Sequence, residues 1–240
     1  MKILAFDSTA KVASVAVCED ERVLASYSID NGLTQSELLL PMAEDMLRSL
    51  KMSFDDVDIY AAAVGPGSFT GVRIGVSLVK GLAFAKNKPC VAVSTLEALA
   101  ENIAPLRGIL VPLMDARRSQ VYTALFRSDG HTLSRVSEDT AISISELADR
   151  LSEYGGERIY LSGDGYQVAY PRLLELGVGV EATPELLINE SAASVARVAY
   201  KKYLSGEYTS DLEISPTYLR LPQAERERLM REGKITEDKN

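Results

Sequence analysis

Apolar residues fall along this chain in two kinds of run. Short apolar blocks occupy positions 3–6, 59–64, 90–93, 109–114 and 159–161, and 12–17 is broken only by Ser14. Blocks of this kind read as strands covered on both faces, because a strand with one wet face alternates instead. Other stretches bring apolar positions back every three to four residues, which predicts helices over 35–50, 71–86 and 191–200. Glycine, proline and hydroxyl residues separate these runs and mark the turns.

The order of these elements repeats. An apolar strand ends at Asp7, turns through Ser8-Thr9-Ala10-Lys11 and returns over 12–17. A second apolar strand ends at Asp115, turns through Ala116-Arg117-Arg118-Ser119 and returns over 120–126. The strand at 59–64 runs into Gly65-Pro66-Gly67, and the strand at 159–161 runs into Ser162-Gly163-Asp164-Gly165. After the first copy come a strand at 90–93 and a helix from Ser94 or Thr95. After the second come a weak strand candidate at 178–180 and the helix at 191–200. The pattern predicts an α/β protein of two duplicated lobes, 1–106 and 107–220, followed by a charged tail over 221–240 with a helix at 223–232. Ligands in open α/β sheets sit beyond the carboxyl ends of the strands. A nucleotide-sized cleft is therefore expected between the lobes, lined by Asp7, Ser8, Thr9, Gly65, Gly67, Gly163, Asp164 and Gly165.

Two helices carry more apolar surface than one core face requires. Over 35–50, Leu39, Met42, Ala43, Met46 and Leu50 form the core stripe, with Leu40 and Leu47 round its side. Pro41 lacks an N–H, so it is expected in the first turn or at a bend. Over 71–86, apolar residues cover most of the circumference, and Gly71, Gly75 and Gly81 permit close approach of another backbone. Such a helix is buried on more than one side, either inside its own domain or against a partner. The loop that opens it, Gly65-Pro66-Gly67-Ser68-Phe69-Thr70-Gly71-Val72-Arg73-Ile74-Gly75, reads as a tight strand-to-helix connection capped by Ser68 or Thr70, or as an anion cradle at a helix N-terminus.

Composition narrows the chemistry. The 240 residues carry a net charge of −8, a poor main platform for a phosphate backbone. A local strip of Arg117, Arg118, Arg220, Arg226 and Arg228 is the exception. The two cysteines, Cys18 and Cys90, lie in apolar runs and read as buried free thiols. The single histidine, His131, falls in the hairpin turn Ser128-Asp129-Gly130-His131, whereas a hydrolytic zinc site usually takes two or three histidines. No signal peptide or membrane-length segment is present, so a cytoplasmic protein is expected.

The string from Gly65 to Gly75 closely resembles the signature of the TsaB (YeaZ) family. Ile3-Leu4-Ala5-Phe6-Asp7-Ser8-Thr9, Asp115-Ala116-Arg117-Arg118 and Pro216-Thr217-Tyr218-Leu219-Arg220 are similar to its other motifs. Gln35-Ser36-Glu37-Leu38-Leu39-Leu40-Pro41 matches a further one, with Gln35 in place of the customary histidine. The resemblance covers nearly the whole chain and is weakest over 128–157 and beyond 225. It implies two duplicated lobes of the actin-like ATPase (ribonuclease H-like) fold and a non-catalytic subunit for threonylcarbamoyladenosine formation in tRNA. The implied partners are the transferase TsaD, as a heterodimer, and the ATPase TsaE. A homodimer in isolation is also implied, with tRNA met only through the complex and no membrane.

The same resemblance implies that no metal site is kept, since the two histidine positions of the TsaD motif fall on Thr95 and Leu99. It implies weak or absent ATP binding by the chain alone, because Thr9 stands where a glycine would let a phosphate approach, with ATP or ADP left to the junction of the complex. The partner surface it implies uses Leu39, Leu40, Leu47, Phe69, Val72, Val76 and Val79, with Arg73 as a polar anchor. On that reading Val76→Glu breaks the heterodimer and leaves the fold intact. The rival readings are a small-molecule phosphotransferase using the cleft, a metalloprotease, and a direct RNA-binding module.

Overall fold

The computed structural model describes residues 1–220 together with Arg228 and Arg231. The tail read over 221–240 therefore lies outside the described residues, apart from those two helical arginines. In the first lobe, strands β1 (Lys2–Asp7), β2 (Ala13–Glu19) and β3 (Arg22–Ile29) form an antiparallel meander. Strands β4 (Ile59–Ala63) and β5 (Cys90–Val93) add in parallel, giving the order β3-β2-β1-β4-β5. Helices α1 (Gln35–Ser49) and α2 (Phe69–Lys86) make the connections. Pro41 stands inside α1, past the first turn and on its exposed side, where water can take up the carbonyl that its ring displaces.

The unbroken apolar strands are explained by the layers. Leu4 and Phe6 of β1 enter a core with Met46, Val72, Val76 and Val79 of α1 and α2. Ile3 and Ala5 enter another core on the opposite face. Successive side chains alternate across a strand, so a strand covered on both faces is apolar at every position.

The second lobe repeats the plan. Helix α3 (Thr95–Asn102) leads to β6 (Gly108–Asp115), β7 (Gln120–Thr123), β8 (Phe126–Ser128), β9 (Leu133–Arg135) and β10 (Thr140–Ser143). Helix α4 (Ile144–Ser152), β11 (Ile159–Ser162), α5 (Tyr166–Glu175) and α6 (Ala192–Leu204) follow. Strand β6 pairs antiparallel with β7 and β8 and parallel with β11. The return strand read over 120–126 is thus two pieces, broken where the Leu125 N–H turns aside to Ser137 Oγ at 2.8 Å. Beyond β11 the expected strand at 178–180 does not form. One parallel bridge, Tyr160 to Glu181, stands in its place, and glycines at 177 and 179 leave little side chain to cover a further strand.

A cut at residue 106 does not divide the cores. Ala192, Val195, Ala196 and Ala199 of α6 pack on the back of the first sheet, small enough to lie close to it. Helix α3 packs instead on β6, with Leu96, Leu99 and Ile103 beside Leu110 and Met114. The segment after α6 returns to the first lobe as well. Thr209 bridges Cys90, Ile214 is buried in the first core, and the Thr217 N–H donates to the Val64 carbonyl at 2.8 Å.

Candidate functional site: the interlobe cleft and the outer helices

The turn after β1 and the N-terminal half of α2 are in direct contact. Ser8 Oγ donates to the Gly71 carbonyl at 2.8 Å, and the Ser68 N–H donates to the Thr9 carbonyl at 2.7 Å. A Cβ at Gly67 or Gly71 would collide with the carbonyls of Thr9 and Ser8, and one at Gly75 with Ser8 Oγ. These glycines admit the chain's own turn. Ser68, rather than Thr70, caps α2 by accepting from the Gly71 N–H at 3.2 Å. On the second lobe Gly163, at φ 91°, lies against the Leu113 carbonyl, and the Gly165 N–H donates to that oxygen at 3.0 Å.

The predicted cleft residues do converge at the carboxyl ends of β1, β4 and β11, yet they do not line an open cleft. Asp7, Ser8 and Thr9 are 1%, 1% and 0% exposed, and Gly65, Gly163 and Gly165 are buried. The open cavity nearby, about 680 Å³, touches only Gly65 of this set and is lined by Ser94, Arg135, Asp139 and Lys201 among others.

Buried carboxylates meet at this junction. Asp7 Oδ1 accepts from the Thr9 N–H at 2.9 Å and the Thr9 hydroxyl at 2.7 Å, while Oδ2 has no partner. Burial pushes Asp7 up to about 6 against the pull of the Thr9 bonds, with the Asp164 charge adding to the rise. Asp164 Oδ1 accepts from the Asp115 N–H at 2.8 Å, and its own N–H donates to Glu190 Oε1 at 3.2 Å. Glu190 is 3% exposed, with Oε2 unpartnered. Burial first, then the charges of Asp7 and Asp164, push it up to about 8, so it keeps its proton at neutral pH. Sequence reasoning missed Glu190, because an acid just before a helix start looks like ordinary N-terminal polarity. Among the described residues no three His, Cys, Asp or Glu side chains are grouped to hold a metal ion. Thr95 and Leu99 are buried in the fold, 0% and 1% exposed.

Gln35 has a definite task. Its Nε2 donates to the carbonyls of Ala10 at 2.9 Å and Lys11 at 3.0 Å, tying the start of α1 to the β1–β2 turn.

The partner residues expected on α1 and α2 divide. Leu39, Leu47, Val72, Val76 and Val79 are at most 2% exposed and belong to the first core. They do not form an outer surface, and Val76→Glu would bury a charge rather than spare the fold. Leu40 and Phe69 are each 37% exposed, and Arg73 is exposed. Arg73 is nonetheless engaged internally: its guanidinium lies 3.9 Å from the Phe69 ring centre and its Nε donates to the Tyr218 hydroxyl at 2.8 Å. The outer apolar residues of the two helices are therefore Leu40 and Phe69 of that set, Phe84 at 76% exposed, and a half-covered stripe. Ile74, Leu78 and Leu82, spaced one turn apart on α2, and Leu38 on α1 are half-buried against the same core.

Cys18 and Cys90 are buried free thiols, each pushed up to about 11 chiefly by burial. His131 is exposed at the β8–β9 hairpin tip. No helix among the described residues is long and apolar enough to cross a membrane.

Two α/β lobes that repeat one hairpin-led plan, with an aspartate closing the first strand of each, define a protein of the actin-like ATPase fold. YeaZ from Pseudomonas aeruginosa superposes with a TM-score of 0.75 at 25% identity, over 91% of this chain and 99% of that one. The family model for TsaD, tRNA N6-adenosine threonylcarbamoyltransferase, matches residues 34–227. The tRNA threonylcarbamoyladenosine biosynthesis protein TsaB of Bacillus subtilis (strain 168) is 32% identical over 94% of this chain and 96% of its own length. That of Escherichia coli (strain K12) is 31% identical over 92% and 95%. The chain belongs to the TsaB (YeaZ) family.

Proposed function

We propose that this chain is a non-catalytic scaffold subunit that binds a TsaD-family transferase and holds it in the arrangement that modifies tRNA with threonylcarbamoyladenosine. The observation that carries this reading is the half-covered stripe Ile74, Leu78 and Leu82 along α2. Half-buried aliphatic side chains in register on one helix gain from further burial, at roughly 25 cal/mol per Å². In isolation the same stripe is available to a second copy of the chain, since one patch used twice closes a dimer. TsaE is the third component of the assembly, with ATP or ADP held at its junction.

The residues present do not fit a nucleotide in this chain's own cleft. The Ser8-Thr9 turn already occupies the glycine face of α2. The Thr9 side chain is spent on Asp7, and Asp7 is a buried carboxylate that would repel a triphosphate. This counts against the phosphotransferase reading. The test is reconstitution of tRNA modification from purified components. Full activity in the absence of this chain, or turnover by this chain alone, contradicts the proposal; activity only when it joins the transferase supports it.

A further inference from the structure

Guanidinium groups and aromatic rings meet in pairs between segments of both lobes. On α2, Arg73 lies over Phe69 and bonds Tyr218. Tyr218 is 41% exposed, and two residues on Arg220 lies 5.8 Å from the ring centre of Tyr122 on β7. Strand β7 begins at the β6–β7 turn, whose tip carries Arg117 and Arg118. Segment 218–220 thus touches both 69–73 and Tyr122, on the strand that follows the Arg117-Arg118 turn.

The tip itself is held in a costly shape. Arg117, Arg118 and Ser119 take φ of 65°, 54° and 58° in succession. That region favours glycine, and three consecutive side-chain-bearing residues in it are rare. The Asp115 carboxylate supports the turn by accepting from the Arg117 N–H at 2.8 Å. The Arg117 side chain is 87% exposed, with Asp115 a loose partner at 3.6 Å. Arg73, Arg118 and Arg220 have no carboxylate within ion-pair distance among the described residues, whereas many of the chain's other arginines do. On a chain of net charge −8, a local run of uncompensated guanidinium groups is a departure from the bulk.

We infer that this strip directly binds single-stranded RNA, with Arg117 and Arg118 meeting phosphates and the exposed side of the Tyr218 ring meeting a base. Guanidinium groups interleaved with rings suit a strand that offers phosphates and bases in alternation. An acidic protein surface would need the charges and not the exposed ring of Tyr218. The choice of RNA rests on the function proposed above, and it makes this subunit a part of the tRNA-binding surface rather than a bystander to it.

The test is fluorescence anisotropy of an unmodified tRNA transcript against the full chain, alone and with its TsaD-family partner, over a series of salt concentrations. Arg117→Gln with Arg118→Gln is expected to lower the slope of log affinity against log salt by about 1.4, at roughly 0.7 for each single-strand phosphate that is no longer neutralised. Tyr218→Ala is expected to weaken binding about tenfold, and Tyr218→Phe to restore it by keeping the ring. No RNA binding by the wild type in either form, or a slope and affinity unchanged in the arginine variant, overturns the inference. An unchanged slope with weakened transferase binding assigns the strip to a protein partner and overturns it too. Failure of the scaffold reading shows separately, as loss of wild-type co-elution with the transferase, while the salt slope of the chain alone still decides whether RNA is bound directly.

Discussion

The hydroxyl of Ser8 occupies the space where a side chain on Gly75 would stand, while donating to the Gly71 carbonyl at 2.8 Å. The glycines of α2 therefore serve the packing of a helix on a turn. A glycine-rich strand-to-helix loop in this fold has two uses, to admit a phosphate or to admit protein, and here it admits protein.

Glycines on the two sides of α2 should respond in opposite ways to alanine. Gly75→Ala meets Ser8 Oγ and is expected to cost about 1–3 kcal/mol of folding stability. Gly81→Ala meets nothing within 4 Å and should gain roughly 0.5–1 kcal/mol from the better helix former. Urea denaturation of both variants checks the pair; equal effects would show that Ser8 does not pack against Gly75.

Stability should fall as the solution is made alkaline. Glu190 rises from 4.5 to about 8 in the folded protein, and Asp7 from 3.8 to about 6. The native state therefore binds more protons than the unfolded one between these limits. The stability these acids allow is whole near pH 4, declines through pH 8 and then levels. Glu190→Gln keeps an oxygen to accept the Asp164 N–H and loses the charge. It is expected to flatten the decline and to exceed the wild type at pH 9 in denaturant midpoint. Parallel curves for the two proteins would remove the buried-carboxylate cluster.

The last segment of the described chain belongs to the first core. Ile214 is 1% exposed while its neighbour Leu212 is 81% exposed. Ile214→Ala is expected to cost about 2–5 kcal/mol and Leu212→Ala within about 0.5 kcal/mol. Chemical denaturation distinguishes them, and similar small effects would mean that the segment does not pack on the first lobe.

The two-lobed plan is legible in the sequence because its central strands are apolar along most of their length and its hairpins repeat in order. The parts that are not legible have weak or shared signals. Strand β3 exposes about every other residue at the sheet edge, and β9 and β10 are three and four residues long. The outer face of α2 is hidden for a different reason. Periodicity gives the angles between Val72, Val76, Ile74 and Leu78 but not which angle points inward. That is set by Gly71 and Gly75 lying on the Ser8 turn, a tertiary contact 63 residues away in the chain. The i, i+4 glycine pair is the available clue to the inward side. The cleft residues group together as their positions at strand ends imply, but the sequence does not reveal that Thr9 closes over Asp7 or that Glu190 arrives from the start of α6.

The affinity of the chain for its TsaD-family transferase, compared between the wild type and Gly81→Arg by titration calorimetry, tests the scaffold reading most directly. Gly81 is exposed, with open space around it and Leu78 one turn before it. An arginine there leaves the core untouched and sets a charge on the outer stripe. A wild type that binds and a Gly81→Arg variant that folds as stably but no longer binds is the expected result. Equal binding by the two, or none by the wild type, would contradict the docking face and the function built on it.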